Sequence, residues 1–371
     1  MELVDGTSVQ GEVVSLTEEA LTIATGEGER AIRREDVLSL DLTAATPRDA
    51  DSEWVLFANG DRAPLAPVEL VDDQLVCRGS VAERTTWRIP VEQVTALIRQ
   101  PLPAMADSPL LAELAFRVFR DDTVILQDGT RLTGAVESIG PEALRVESAV
   151  GSVAVEARRV AAVAMNSSLV QRPTAPDALT LAMLRNGAWL ALEEATVSGG
   201  EIAGRTSFDA EYRAALSEVS RVVCFGHRVR DLTLYEPMQV SIVPFVSRRA
   251  ELRTNRNVRG GWLKLKGREF ARGFGMTSGM SASFALAAED RQFRATVGLD
   301  DCVGAAGSVV FAVDVDGRRV FTSPVMTGRD AAMELGPLDV SGGRRLTLSV
   351  EFAEQGNVQD VADWCEPVIL R

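Results

Sequence analysis

The side chains with the most chemical potential in this 371-residue chain are carboxylates gathered toward its C-terminus. Asp300 and Asp301 end one alternating apolar run, and Asp360 and Asp363 precede the last one, in "QDVADW". Carboxylates converging at sheet ends have three uses. They cap turns and pair with arginines such as Arg291, Arg294 or Arg329; they accept hydrogen bonds from sugar hydroxyls; or they hold calcium, which takes six to eight oxygen ligands. Upstream, "RGGWLKLKG" places Trp262 shortly before Arg268 and Arg272. An indole offers an apolar face and an N–H donor, which suits the CH and OH surfaces of a pyranose; its alternative role is packing between sheets. The two arginines would act as hydroxyl clamps or as surface charges.

Other chemistry is poorly served. His227 is the single histidine, and no G-x-S-x-G elbow accompanies it. "GEGER", residues 26 to 30, lacks the lysine of a phosphate-binding loop and reads as a hairpin tip. Glycoside hydrolysis needs only two carboxylates at a set separation. Once the elements below are assigned, however, no segment is left to build a common glycosidase scaffold, so catalysis is not expected. Cys77, Cys224, Cys302 and Cys365 show no metal-binding spacing. Cys302 and Cys365 fall in one module; whether they are bridged depends on a Cα separation that spacing does not supply. No cofactor is implied beyond the calcium alternative.

Charge narrows the partners. Net charge is -14; the residues through His227 hold 20 basic against 35 acidic, and those from Arg228 hold 19 against 18. The first part should repel phosphate backbones, which speaks against nucleic acid. A local basic stretch runs from Arg248 to Arg272, with nine Arg or Lys. No run of about 18 apolar residues exists, so no membrane-spanning helix is expected. "MELVDGTSVQG" has neither the basic region nor the apolar core of a secretion signal.

Positioning the carboxylates requires sheet. Asp316-Gly317 supplies the positive φ pair of a two-residue hairpin turn, which sets Val313 opposite Val320 and Asp314 opposite Arg319. Strands are expected over Gln239–Val243, Trp262–Leu265, Ser281–Leu286, Gln292–Val297, Ser308–Val315, Arg319–Ser323, Met333–Leu335, Arg345–Glu351 and Val368–Leu370. That number suits one jelly-roll β-sandwich over 228–371.

The preceding half repeats itself. "LVDGTSVQGEVVSL" and "LQDGTRLTGAVESI" each carry a DGT turn and a second glycine five residues later (Gly6 and Gly11; Gly129 and Gly134). Two degraded copies keep Asn59-Gly60 and Asn186-Gly187 but lose the second glycine. Each of the units 1–46, 54–100, 120–167 and 178–227 would supply about five strands, the number in a small Sm-like or SH3-like barrel. The DG turn with its spaced glycine resembles the first half of the Sm signature, while the basic-glycine RNA contact is missing. Between the second and third units, Ser108 to Phe119 could form a short helix after Ser-Pro.

"ARGFGMTSGMSASFAL", "FRATVGLDDCVGAAGSVVFAVDVDGRRVFTSPVMTG" and "LDVSGGRRLTLSVEFAEQGNVQDVADWCEPVIL" occur in that order. Together they resemble the NPCBM family of carbohydrate-binding modules, over roughly Val240 to Arg371. The resemblance implies an all-β chain ending in a galactose-binding-like sandwich that recognises glycans, galactose-type among them, without chemistry. It also implies an extracytoplasmic setting. The carbohydrate-binding residues would come from Trp262, Arg268, Arg272, Asp300, Asp301, Asp360 and Asp363. Two departures stand out: Thr277 and Val361 occupy positions where family members usually carry histidine. The repeats would act as spacers or docking surfaces for proteins. The competing expectation is a cell-surface scaffold that binds protein and no sugar.

Overall fold

Asp-Gly or Asn-Gly opens each of four similar stretches for a local reason. At Asp5, Asn59, Asp128 and Asn186 a side-chain oxygen accepts the backbone N–H two residues on, at 2.8 to 3.0 Å. The intervening glycine takes a φ between 84 and 93°, a region that favours a residue without Cβ.

The computed structural model describes residues 1–42, 53–79, 86–99, 110, 113–114, 118–173, 176, 178–226, 228–243, 251–354 and 356–371. The helix expected over Ser108–Phe119 lies mostly outside them, and His227 lies outside. Two compact units part at Gly226.

In the first unit, five strands and a 3₁₀ turn before the fifth recur four times. The first set is β1 (Glu2–Leu3), β2 (Glu12–Leu16), β3 (Ala20–Thr25), β4 (Gly28–Arg33) and β5 (Val37–Asp41). The second is β6 (Trp54–Phe57), β7 (Arg62–Val71), β8 (Gln74–Gly79), β9 (Thr86–Pro90) and β10 (Val94–Ile98). The third is β11 (Asp122–Leu126), β12 (Arg131–Ile139), β13 (Ala143–Ser148), β14 (Gly151–Glu156) and β15 (Val160–Ala164). The fourth is β16 (Leu179–Leu184), β17 (Trp189–Ser198), β18 (Glu201–Thr206), β19 (Glu211–Ala215) and β20 (Val219–Phe225). In every set the fifth strand returns to pair with the first. Each second strand bulges where it passes to its third-strand partner, which bends it and lets its two halves serve different parts of the sheet. The second glycine explains itself there. A Cβ on Gly134 would stand 2.1 Å from the Glu147 carbonyl oxygen, and one on Gly11 2.5 Å from that of Ala24.

Strand pairing orders the sets 1, 4, 2, 3. β5 pairs with β20 and β10 with β15, so these fifth strands have neighbours on both edges. Burial on both faces then accounts for their continuous apolar composition, such as "VAAVA" in β15. Sets 2 and 4 meet where Arg62 pairs with Trp189. Arg62 is wholly buried, with its guanidinium carbon 3.5 Å from the Trp189 ring centroid and its Nε donating to Gly187 O at 2.8 Å. Buried Asp61 accepts the Ala191 N–H at 2.9 Å beside it. Sets 1 and 4 are joined by Arg34, which donates to Ala195 O at 2.7 Å and Thr180 Oγ1 at 2.6 Å.

The second unit contains β21 (Val229–Asp231), β22 (Gln239–Ile242), β23 (Arg253–Thr254), β24 (Leu263–Leu265), β25 (Arg268–Phe270), β26 (Gly273–Met276), β27 (Met280–Ala285) and β28 (Gln292–Leu299). It continues with β29 (Ser308–Val315), β30 (Arg318–Thr322), β31 (Met326–Thr327), β32 (Met333–Asp339), β33 (Arg345–Phe352) and β34 (Ala362–Leu370). One antiparallel sheet runs β23-β26-β34-β28-β32 with β21 beside β34; the other runs β22-β27-β33-β29-β30 with β31 beside β29. Alternating side chains from both fill one core, in which Phe311 meets Trp364 edge to face at 5.4 Å and Phe274 lies 5.2 Å from Phe284. β24 and β25 form a separate hairpin.

The Asp316-Gly317 turn has φ values of 51 and 80°, and Asp314 faces Arg319 across it with an ion pair of 2.9 Å. Val313, however, pairs with Phe321. A bulge at Val320 shifts the register by one residue beyond the expected Val313–Val320 match.

Candidate functional site

The carboxylates collect at the end of the sandwich where β28 stops and β34 starts. Gly298 pairs with Asp363 and Leu299 with Ala362, and the Asp300 N–H donates to Val361 O at 2.9 Å. Asp300 thus sits beside Asp363, and the loop from Asp301 to Gly307 leaves from this end.

Asp300 and Asp301 act as a latch. Asp300 Oδ1 accepts Cys302 N at 2.9 Å, capping the 3₁₀ turn Asp301–Val303, while Oδ2 accepts Lys264 N at 3.0 Å. Asp301 accepts the N–H groups of Lys266 and Gly267, each at 2.7 Å, and Lys266 Nζ donates to Gly328 O at 2.8 Å. The acidic pair therefore fastens the turn of the β24–β25 hairpin to the sandwich. Asp301 is half-buried, with its hairpin exposed at Lys266 and Arg268.

Asp363 lies beneath, fully buried. Burial, then the adjacent Asp300 carboxylate, raise it well above its ordinary value. Asp360 is buried as well and raised by burial. The Ser278 hydroxyl and the Ser308 N–H, the latter at 2.9 Å, partly offset that rise. Among the described residues no three His, Cys, Asp or Glu side chains form a group able to hold a metal. With the oxygens of Asp300 and Asp301 engaged by backbone N–H groups, the four aspartates do not fit a calcium cage.

Trp262 corrects the platform expectation. Its relative exposure is 0%, and the Arg256 guanidinium carbon covers its ring at 3.3 Å from the centroid. The chain wraps it because Gly275 admits the neighbouring segment: a Cβ there would stand 2.3 Å from Arg256 O. Trp262 is interior and offers no face to a sugar. Arg272 is also moved inward. At 2% exposure it sits 3.8 Å from the Asp231 carboxylate, away from the carboxylate end, and is no surface clamp. Arg268 stays exposed, 3.5 Å from Glu366 and stacked over Phe270 at 4.6 Å. Trp364 is core, as is Val361, one of the two positions departing from the histidine pattern; Thr277 is half-buried.

Sequence reasoning missed the exposed Arg259 and Gln359 here, and the buried Asn257 that holds the turn at Arg259. Arg259 donates to Gln359, and Asn257 Oδ1 accepts the N–H groups of Arg259 and Gly261 at 3.0 and 2.9 Å. Arg259 had one signal, its membership of the basic stretch 248–272, and Gln359 had none. Cys302 and Cys365 are both free thiols: Cys365 faces Leu263, Leu265 and Phe270, whereas Cys302 is on an exposed turn.

Residues 239–370 match the model of the NPCBM/NEW2 domain. This stretch is an NPCBM/NEW2 domain. A stretch of 108 residues is 31% identical to the "Putative endo-alpha-N-acetylgalactosaminidase" of Renibacterium salmoninarum, covering 29% of this chain. The chain spans 7% of that relative's length. Among solved structures, CBM51 from Clostridium perfringens GH95, in complex with methyl-galactose, is similar at 19% identity and a TM-score of 0.35, over 38% of this chain and 99% of that one. The CBM51-2 and INT domains of Clostridium perfringens ZmpB are similar at 22% identity and a TM-score of 0.36, over 46% and 36%.

Proposed function

We propose that the NPCBM/NEW2 domain binds glycan without chemistry, at the sandwich end that carries Asp301, Lys266, the Arg259–Gln359 pair and, on the hairpin flank, Arg268. The match of residues 239–370 to a carbohydrate-binding family carries this reading. The arrangement supports it: guanidinium, amide and carboxylate groups line a surface whose backbone is held by the Asp300–Asp301 latch. Such groups supply the planar, multidentate hydrogen bonds that vicinal hydroxyls accept and donate. Asp300, Asp360, Asp363 and Trp262 support this surface from within. The four five-stranded sets are read as small Sm-like or SH3-like barrels, acidic spacers or docking modules for a protein that works outside the cytoplasm.

The test is a glycan array probed with the full chain, galactose-type sugars included, repeated with Arg259→Ala and Arg268→Ala. Retention on at least one glycan class is expected, weakened about tenfold or more by loss of one charge-assisted contact. No retention on any glycan overturns the reading.

A further inference from the structure

One edge of the sandwich lacks the protection the others carry. β22 pairs with β27 from Gln239↔Ser283 to Ile242↔Met280 and, among the described residues, with no strand on its other side. An open edge presents unpaired N–H and C=O groups, and proteins ordinarily blunt it with charge, proline or brevity. The remaining outer strands do so. β30 exposes Arg318 and Arg319, β32 contains Glu334, Pro337 and Asp339, and β23 is two residues long and begins with Arg253. β22, though only four residues long, carries neither charge nor proline within the strand, and no charged residue occurs between Glu236 and Arg248.

The side chains agree with the backbone. Met238, Val240 and Ile242 alternate onto one face, and Ile242 packs against the core. Met238 nevertheless keeps 66% and Val240 40% of its surface exposed, and Val243 on the opposite face keeps 63%. The core is therefore open along this strand. The Val243 N–H donates to Gly279 O at 2.8 Å. Antiparallel alternation then turns the N–H and C=O groups of Val240 and Ile242 away from β27.

We propose that β22 is a self-association edge, pairing antiparallel with β22 of a second copy about a two-fold axis at Ser241. That register sets Val240 opposite the Ile242 of the other copy, so each outward N–H and C=O meets its complement. The two six-stranded sheets merge into one. Charge favours a second copy through this unit. The residues from Arg228 on hold 19 basic against 18 acidic, so two such units meet without net repulsion, whereas the acidic first part of the chain would oppose a dimer. Edge pairing buries less surface than a permanent dimer, so the association is reversible. Two NPCBM/NEW2 domains on one particle would raise avidity for clustered glycans, but the dimer does not depend on the glycan reading.

Sedimentation equilibrium of the full chain, without glycan, tests it. The wild type is expected to approach twice its 39.9 kDa mass at high loading. Ser241 is exposed, so Ser241→Lys and Ser241→Glu leave the core intact while setting like charges opposite each other across the axis. Each variant alone should stay at the mass of one chain, and an equimolar mixture should regain the dimer. A wild type that remains a single chain at every loading overturns the proposal. So do variants that dimerise as well as wild type, or a mixture that stays monomeric. Unchanged far-UV circular dichroism of both variants confirms that a monomer reports the edge and not misfolding.

Discussion

Trp262→Ala separates the two roles an indole at this position can have. The side chain is wholly buried and sandwiched under Arg256. Truncating a buried Trp removes its transfer free energy and leaves a cavity, about 3–5 kcal/mol in total. Against a typical domain stability of about 5–15 kcal/mol, that is a large fraction. For a unit of this size each kcal/mol moves the midpoint by roughly 3–4 °C, so the second unit should melt about 10 °C lower or more. Calorimetry of the full chain resolves the two units, and the transition of the first should stay in place as an internal control. Glycan retention measured well below the new midpoint should persist. An unchanged midpoint combined with lost glycan binding would refute the reasoning, because it would place the indole at the surface in contact with sugar.

Three other outcomes follow from the buried polar groups. Because Asp363 is raised in the folded state, its contribution is fully present below the unfolded carboxyl value of about 3.9 and is lost as pH rises through the folded value. Asp363→Asn does not titrate, so its stability relative to wild type should climb from acid to neutral pH in denaturant titrations; parallel curves contradict the buried pair. Arg62→Ala uncovers Trp189 and leaves Gly187 O without its charged donor, at a cost of about 2–3 kcal/mol seen only in the transition of the first unit. Thiol titration should find four cysteines after denaturation and only Cys302 in the native protein. That reaction should be slow, since inward burial of its sulfur and the Asp300 carboxylate both raise its thiol; two titratable thiols on unfolding would reveal a disulfide.

Local rules made the sandwich legible. The Asp316-Gly317 turn, the charge pair beyond it and the strand Ser308–Val315 all rest on short-range sterics and alternation. Strands rich in glycine or only two or three residues long escaped, such as β26 over "GFGM" and β25 over Arg268–Phe270, because they exist by docking and not by propensity. The site was legible by residue type but not by depth. Alternation places Trp262 on a face, yet only Gly275 and the crossing Arg256 segment, brought in by tertiary contact, close that face. In the first unit the repeated turns were visible, whereas the pairing of set 1 with set 4 was not. It depends on fifth strands whose apolar composition suits any of several partners.

Hydrogen–deuterium exchange of the full chain, with and without a glycan retained on the array, tests glycan binding at the latch most directly. The account predicts slowed exchange in residues 256–268, 300–307 and 356–361, with none in the first unit. Protection confined to residues 1–226, or no change at saturating glycan, would contradict it.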